Sequence, residues 1–367
     1  MKCITAILLL LILIVGCSPS GSAAINQPQS SAVVDNKTIP PKQNTEVTPD
    51  SPQGDRVVPA HESGQMPSQI LFLRIDFSRS TPNLYGRYDL TSVNRDIWVT
   101  DSDGKNALNL TKSSANAMSA DWSPDKSKIV FDSVNSYLQG LPVCSINIMD
   151  ADGSDVKQVS PGASSRHFPA WSPDGNRIAY SKYVPPNCGP EIWCKSFTLF
   201  TFNPDGSDDR EVQVLSGGSN ILPRWFPDGK HIAFLDNEMR LSEIWSADIA
   251  NDSDLNKYNI DSNPTYITWF SLSPDATKIA YSHDLSRDYY HTGRGIFIFN
   301  TTTGETTQLT KNDYADDNPC FSPDGKQIIF ASFGDTGETS GMFIMDINGS
   351  NLKQISSQYG DMPMKWR

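Results

Sequence analysis

Five histidines, six cysteines and 42 acidic side chains are the groups in this 367-residue chain that could bind a metal, carry a proton or attack a substrate. The histidines are His61, His167, His231, His283 and His291, and no two of them stand four residues apart as zinc ligands on one helix face do. None adjoins a cysteine or a carboxylate cluster, so the sequence offers no metal motif and implies no cofactor. Asp150-Ala-Asp-Gly-Ser-Asp155 has the opening of a calcium loop, but it lacks the closing glutamate and the flanking helices. The nucleophile elbow of the α/β-hydrolases, G-x-S-x-G, is absent. Cys188 and Cys194 bracket NCGPEIWC, and a disulfide between them would pin that loop; Cys144, on the equivalent loop of the preceding repeat, is the alternative partner. Cys320 reads as a buried thiol.

The elements that would position such groups recur. Trp171–Tyr180, WSPDGNRIAY, reads as a strand end, a Pro-Asp-Gly turn and a second strand. Copies stand at Trp122–Phe131, Trp225–Phe234, Leu272–Tyr281 and Phe321–Phe330, stepping by 49, 54, 47 and 49 residues. Lys126 and Ala276 replace the turn glycine in two copies, which predicts strained or differently shaped turns. A third, alternating strand follows in each repeat, as at Ser145–Met149 and Phe197–Phe202. Most copies then enter a polar turn such as Asp150-Ala-Asp-Gly153 and a short fourth strand. A turn joining the third and fourth strands explains that acidic motif better than calcium does.

Four short antiparallel strands per period of about 50 residues is the pattern of a propeller blade. The fold class expected is all-β: a six-bladed β-propeller of four-stranded antiparallel blades. The half-repeat at Gln69–Ile75 lacks a first strand, and Met362–Trp366 supplies one with no second. Pairing the two closes the ring and removes its open edges.

These motifs resemble the TolB-type, WD-like Pro-Asp propeller repeat, over about 300 residues from Gln69 to Trp366. The same repeat builds the propellers of prolyl-oligopeptidase-like enzymes, but the hydrolase domain those enzymes need finds no counterpart in this sequence. Residues 1–16 read as a lipoprotein signal peptide. Ile14-Val15-Gly16-Cys17 resembles a bacterial lipobox, which implies a lipid on Cys17. Ser18 rather than Asp follows; in a two-membrane bacterium that favours the outer membrane facing the periplasm, and otherwise the cell surface. Residues 17–66, rich in Ser, Pro and Gln, read as a tether, and residues 67–367 as the propeller. The formal charge of −12 argues against nucleic acid and anionic membrane surfaces as partners, leaving the lipid anchor as the membrane contact.

One face of such a ring carries short, uniform hairpin turns, and the other carries long, individual connections between second and third strands. Those connections, among them Asp76–Asn94, Ser133–Val143, Ser181–Lys195 and Ser282–Arg294, hold Tyr85, Arg87, Tyr88, Tyr137, Tyr183, Tyr289, Tyr290, His291 and Arg294. Tyrosine and arginine are enriched at interface hot spots, and these nine form the candidate partner-binding set. Channel-lining positions before the repeat tryptophan are Asp121, Ala170, Arg224, Ser271, Cys320 and Lys365, a mixed set that does not suggest an ion or phosphate site. The expectation is a lipid-anchored, non-catalytic, monomeric envelope scaffold that binds a protein or glycan. The alternative is a propeller lyase or lactonase with its site at the channel mouth.

Overall fold

The computed structural model describes residues 68–77, 93–138, 141–160, 164–184, 197–212, 214, 219–238, 241–250, 255–260, 266–284, 293–311, 314–334 and 336–367. They form six four-stranded antiparallel sheets and no helix. Blade 1 contains β1 (Gln69–Asp76), β2 (Asn94–Asp101) and β3 (Leu108–Asn109). Blade 2 runs β4 (Ala117–Trp122), β5 (Lys128–Leu138), β6 (Leu141–Asp150) and β7 (Lys157–Gln158). Blade 3 comprises β8 (Arg166–Trp171), β9 (Ile178–Tyr183), β10 (Phe197–Phe202) and β11 (Arg210–Glu211). In blade 4 the strands are β12 (Ser219–Trp225), β13 (His231–Glu238), β14 (Leu241–Asp248) and β15 (Leu255–Tyr258). Blade 5 has β16 (Ile267–Leu272), β17 (Lys278–Asp284), β18 (Arg294–Asn300) and β19 (Thr306–Gln308). Blade 6 ends the series with β20 (Ala315–Phe321), β21 (Gln327–Phe333), β22 (Ser340–Asp346) and β23 (Lys353–Gln354). The last strand, β24 (Asp361–Trp366), leaves blade 6 and becomes the innermost strand of blade 1, in the order β24-β1-β2-β3.

The repeat turn is held by a clamp that the sequence repeats almost verbatim. Ser172 Oγ donates to Asp174 at 2.6 Å, the Asn176 amide donates to the same carboxylate at 3.0 Å, and the Arg177 amide donates back to Ser172 Oγ at 2.9 Å. Ser123/Asp125, Ser273/Asp275 and Ser322/Asp324 repeat it. Hydrogen bonds from Ser123 and Ser127 hold Asp125 at a pKa of about 2, and those from Ser273 and Thr277 do the same for Asp275. Where Phe226 replaces the serine, Asp228 instead takes His231 Nδ1 at 2.6 Å. Lys126 and Ala276 adopt the same left-handed conformation as the glycines they replace, with φ of 62° and 55°. Those turns are therefore strained rather than reshaped.

The second glycine of three repeats has a different reason. A Cβ on Gly104, Gly153 or Gly206 would fall 2.0, 2.5 or 2.2 Å from the carbonyl oxygens of Ile355, Leu110 and Val159, each in the preceding blade. Only glycine lets the Asp-x-Asp-Gly turn pack that closely. The Asp152 carboxylate is occupied by the Ser154 amide and hydroxyl at 2.9 and 2.6 Å, so the acidic motif is a turn.

Burial falls from the axis outward. The innermost strands β4, β8 and β20 are buried along their whole length, whereas the outer strands β7 and β11 are exposed. The outer strands pair over only two to four residues, shorter than their sequence patterns suggest, and such short edges offer little to a foreign strand. Between blades lie separate apolar clusters. Trp171, Ile178 and Tyr180 of blade 3 pack on Val130, Ile146 and Val159 of blade 2. Ile70, Phe72 and Trp366 of blade 1 pack on Cys320, Ile329 and Ile344 of blade 6.

One expectation needs correcting. Ser133–Val143 is not a loop: β5 and β6 continue as a hairpin to Leu138↔Leu141, across an irregularity between Val134 and Ser136. The bulge absorbs the break in alternation and the ladder resumes beyond it.

Closure rests on β1 and β24. Ile70 pairs with Trp366 and Arg74 with Asp361, the Arg367 amide donates to the Gln69 carbonyl at 2.8 Å, and Ile75 N–H donates to the Gly360 carbonyl at 3.1 Å. Arg74 also grips the buried Asp361 carboxylate with two bonds, of 2.6 and 2.8 Å. Arg74→Met should cost about 3 kcal/mol, because it strands that carboxylate. Deleting residues 362–367 should lower the melting temperature further; a calorimetric scan unchanged in either variant would contradict closure.

Candidate functional site: loop face and channel

The nine candidate partner-binding residues do not share one environment. Tyr137 lies on the extended β5–β6 hairpin and is exposed, with Leu138 beside it at 65% exposure. Tyr183 ends β9 half-buried, its ring edge-on to Phe197 at 5.6 Å. Arg294 is buried at 1% exposure and its Nη1 donates to Asp317, so it serves the scaffold and not the loop surface. Its sequence position at a loop end gave no sign of this, because Asp317 comes from the next blade. Tyr85, Arg87, Tyr88, Tyr289, Tyr290 and His291 lie outside the described residues, as do Cys17, Cys188 and Cys194. Cys144 and Cys320 are free, buried thiols.

At the loop-face end of the innermost strands, two buried polar networks join blades. In the first, Asp132 on β5 accepts the Ser119 amide at 2.6 Å, the Met118 amide at 3.2 Å and, from blade 3, the Phe168 amide at 3.0 Å. His167 Nδ1 stands 4.0 Å from the same carboxylate, and its Nε2 contacts Ser165 Oγ at 2.7 Å. His167 is thus an interior group, not one at the channel mouth. In the second network, Asp317 on β20 receives Thr268 Oγ1 at 2.8 Å and Ser282 Oγ at 2.6 Å from blade 5, besides Arg294. His283 is not a loop residue: it lies on β17, buried, 5.2 Å from the Phe297 ring. His231 is a partly exposed strand residue that faces Asp228 and Asp248.

Between the ends the axis is apolar. Phe168 of blade 3 meets Trp269 of blade 5 across the ring, with centroids 6.5 Å apart, and Leu222, Met118, Met362 and Met364 belong to the same buried cluster. Toward the hairpin-turn face the lining turns polar. Asp121 accepts the Trp171 amide at 3.0 Å and lies 3.5 Å from Lys365 Nζ. The Arg224 guanidinium sits 4.9 Å above the Trp269 ring. Burial pushes the Cys320 thiol up to about 12 against the pull of Arg224 and Lys365. Burial also lowers the pKa of Lys365, Asp121 opposing and Arg367 and Arg224 adding to the effect. Asp121, Arg224, Cys320 and Lys365 come from blades 2, 4, 6 and 1, so the residues before each repeat tryptophan converge on the axis as their register requires. Among the described residues no group of three or more His, Cys, Asp or Glu side chains could hold a metal ion.

A closed ring of four-stranded blades around a plugged axis defines a β-propeller, and its turn-forming repeat is TolB-like. Residues 183–364 match the TolB beta propeller domain. The chain carries a TolB-type β-propeller. It is 30% identical over 86 residues to the Tol-Pal system protein TolB of Francisella tularensis subsp. mediasiatica (strain FSC147), 23% of this chain and 19% of that protein. The alignment thus spans about a fifth of the curated relative's length. The crystal structure of TolB from Acinetobacter baumannii superimposes with a TM-score of 0.60 at 19% identity, over 82% of this chain and 66% of that one. The oligogalacturonate lyase of Vibrio parahaemolyticus shares the fold at a TM-score of 0.50 and 14% identity, over 69% of this chain and 72% of that one.

Burial drives the Asp132 pKa up to about 6 and the His167 pKa down to about 3. With a raised folded pKa, Asp132 contributes stability that is full below its unfolded value of 3.8 and lost as pH rises through about 6. With a depressed one, His167 contributes stability that is full above 6.5 and lost as pH falls toward 3. The two oppose each other between, so wild-type stability should vary little from pH 4 to 6 on their account. Asp132→Asn should be less stable throughout, and its urea midpoint should climb with pH more steeply than that of the wild type. Parallel curves would show that Asp132 does not titrate in the folded protein.

Proposed function

We propose that this chain is a lipid-anchored, non-catalytic binding scaffold of the bacterial cell envelope that presents its long-loop face to a protein or glycan partner. The observation that carries the proposal is the match of residues 183–364 to the TolB propeller, whose curated relative is a Tol-Pal system protein. The physical layout supports it. Hairpin clamps and glycine contacts make the turn face uniform, while the connections on the other face differ blade by blade, and recognition resides where a rigid scaffold carries variable loops. Tyr137 and Leu138, exposed on the projecting β5–β6 hairpin, are described apolar groups on that side. Residues 17–66 act as the tether and the thioether-linked lipid on Cys17 as the anchor. One acyl chain binds a bilayer only marginally, so the several chains of a lipoprotein are what hold a soluble propeller in place.

Two experiments separate the parts of this reading. Cross-linked capture from envelope extracts should recover a partner with the wild type, and recovery should fall at least tenfold with a Tyr289→Ala/Tyr290→Ala double variant. Equal recovery by the double variant removes those tyrosines from the binding face. Fractionation should find the wild type with membranes and Cys17→Ser in the soluble fraction; a variant that stays with membranes contradicts the anchor.

A further inference from the structure

The hairpin-turn end of the channel contains more positive charge than its one carboxylate balances. Lys365 lies 3.5 Å from Asp121, whose charge Arg224 also feels, and Asp121 is already engaged by the Trp171 amide through its other oxygen. Arg224 uses Nη1 on the carbonyl of Pro223 at 3.0 Å, while its Nε and Nη2 edge makes no hydrogen bond among the described residues. That edge is the side of a guanidinium fork that grips a carboxylate with two parallel bonds. The guanidinium cannot swing freely, because the Trp269 ring lies beneath it at 4.9 Å. One further group at this end has no partner among the described residues: Ser271 Oγ is buried without a hydrogen bond. Buried polar atoms are seldom left so in a native protein. Lys365 keeps 34% of its side chain exposed and Arg224 is half-buried, so both cations remain accessible to solvent. The apolar plug of Phe168, Leu222 and Trp269 belongs to the buried core and closes the axis beyond it.

We infer that this vestibule is a binding site for one carboxylate group of a small organic acid, held bidentately by the Nε and Nη2 edge of Arg224 and neutralised by Lys365, with Ser271 Oγ donating a further bond. Arg224 and Lys365 outnumber Asp121 by one positive charge, and Arg367 adds its field, so the site favours an anion. Arg367 stands close by, but its guanidinium is turned to the carbonyl of Ser123 at 3.2 Å. Asp121 repels the ligand while orienting Lys365, so it sets the affinity downward. This site lies at the opposite end of the channel from the loop face and does not depend on that reading.

The test is isothermal titration of the full-length chain with acetate and with succinate, against sulfate, at concentrations to about 10 mM. Saturable carboxylate binding is expected in the wild type. It should weaken at least tenfold in Arg224→Gln and also in Arg224→Lys, which keeps the charge but not the planar fork. Asp121→Asn should tighten it severalfold, a gain that a purely structural role for these residues would not produce. Near-ultraviolet circular dichroism checks that each variant is folded. Absence of saturable binding in the wild type, undiminished binding in both folded Arg224 variants, or tighter binding of sulfate than of acetate would overturn the assignment.

Discussion

The pairing of β24 with β1 is the contact on which the rest of the molecule depends. Each blade turns its apolar faces toward its neighbours, and without closure blades 1 and 6 would each present one to water. Strand exchange solves this at the level of the backbone. The ladder between Ile70 and Trp366 is continuous with the cluster of Ile70, Phe72 and Trp366 on Ile329 and Ile344. The Arg74–Asp361 fork adds direction to that contact: Asp361 is fully buried, Ser356 of the blade 6 segment also donates to it, and Arg74 lies 4.3 Å above the Trp98 ring. A buried carboxylate left alone is expensive, so the fork disfavours any register in which the two do not meet. Gly104 against Ile355 seals the same seam on the outside.

Closure is also what gives the axis its content. Each innermost strand places one residue before its tryptophan at the same height, and only a complete ring brings Lys365 from the end of the chain beside Asp121 of blade 2. The interior then divides into three levels along the axis. Buried polar networks around Asp132 and Asp317 tie neighbouring blades at the loop-face end, an apolar plug fills the middle, and a charged vestibule opens at the turn-face end. The first level is structural, since its carboxylates bridge neighbouring blades.

Local and repeated features were legible in the sequence. The Ser-Pro-Asp turn, the period and the two half-repeats at Gln69 and Met362 are short-range patterns, and counting where the motif is missing identifies the ring and its seam. What escaped was set by contacts between blades. Arg294 reads as a loop cation, yet it is buried because Asp317, 23 residues on, lies on the neighbouring innermost strand. His283 reads as a loop residue because nothing local shows that Tyr281 and Phe297 extend the strand pairing past it. The β5–β6 hairpin hides behind a bulge that breaks its alternation. The vestibule was visible only as six residue names; that Lys365 meets Asp121 follows from blade order around the axis. The candidate loop tyrosines 85, 88, 289 and 290 remain proposals drawn from composition.

Native-state hydrogen exchange tests the central claim most directly. The amides of Ile75 and Arg367, which donate across the seam to Gly360 and Gln69, should exchange with the same free energy as mid-blade amides such as those of β17. That equality is expected if the seam opens only when the ring unfolds. Exchange of Ile75 and Arg367 by local fraying, at a free energy well below that of β17, would contradict the closed ring as the source of the fold's cooperativity.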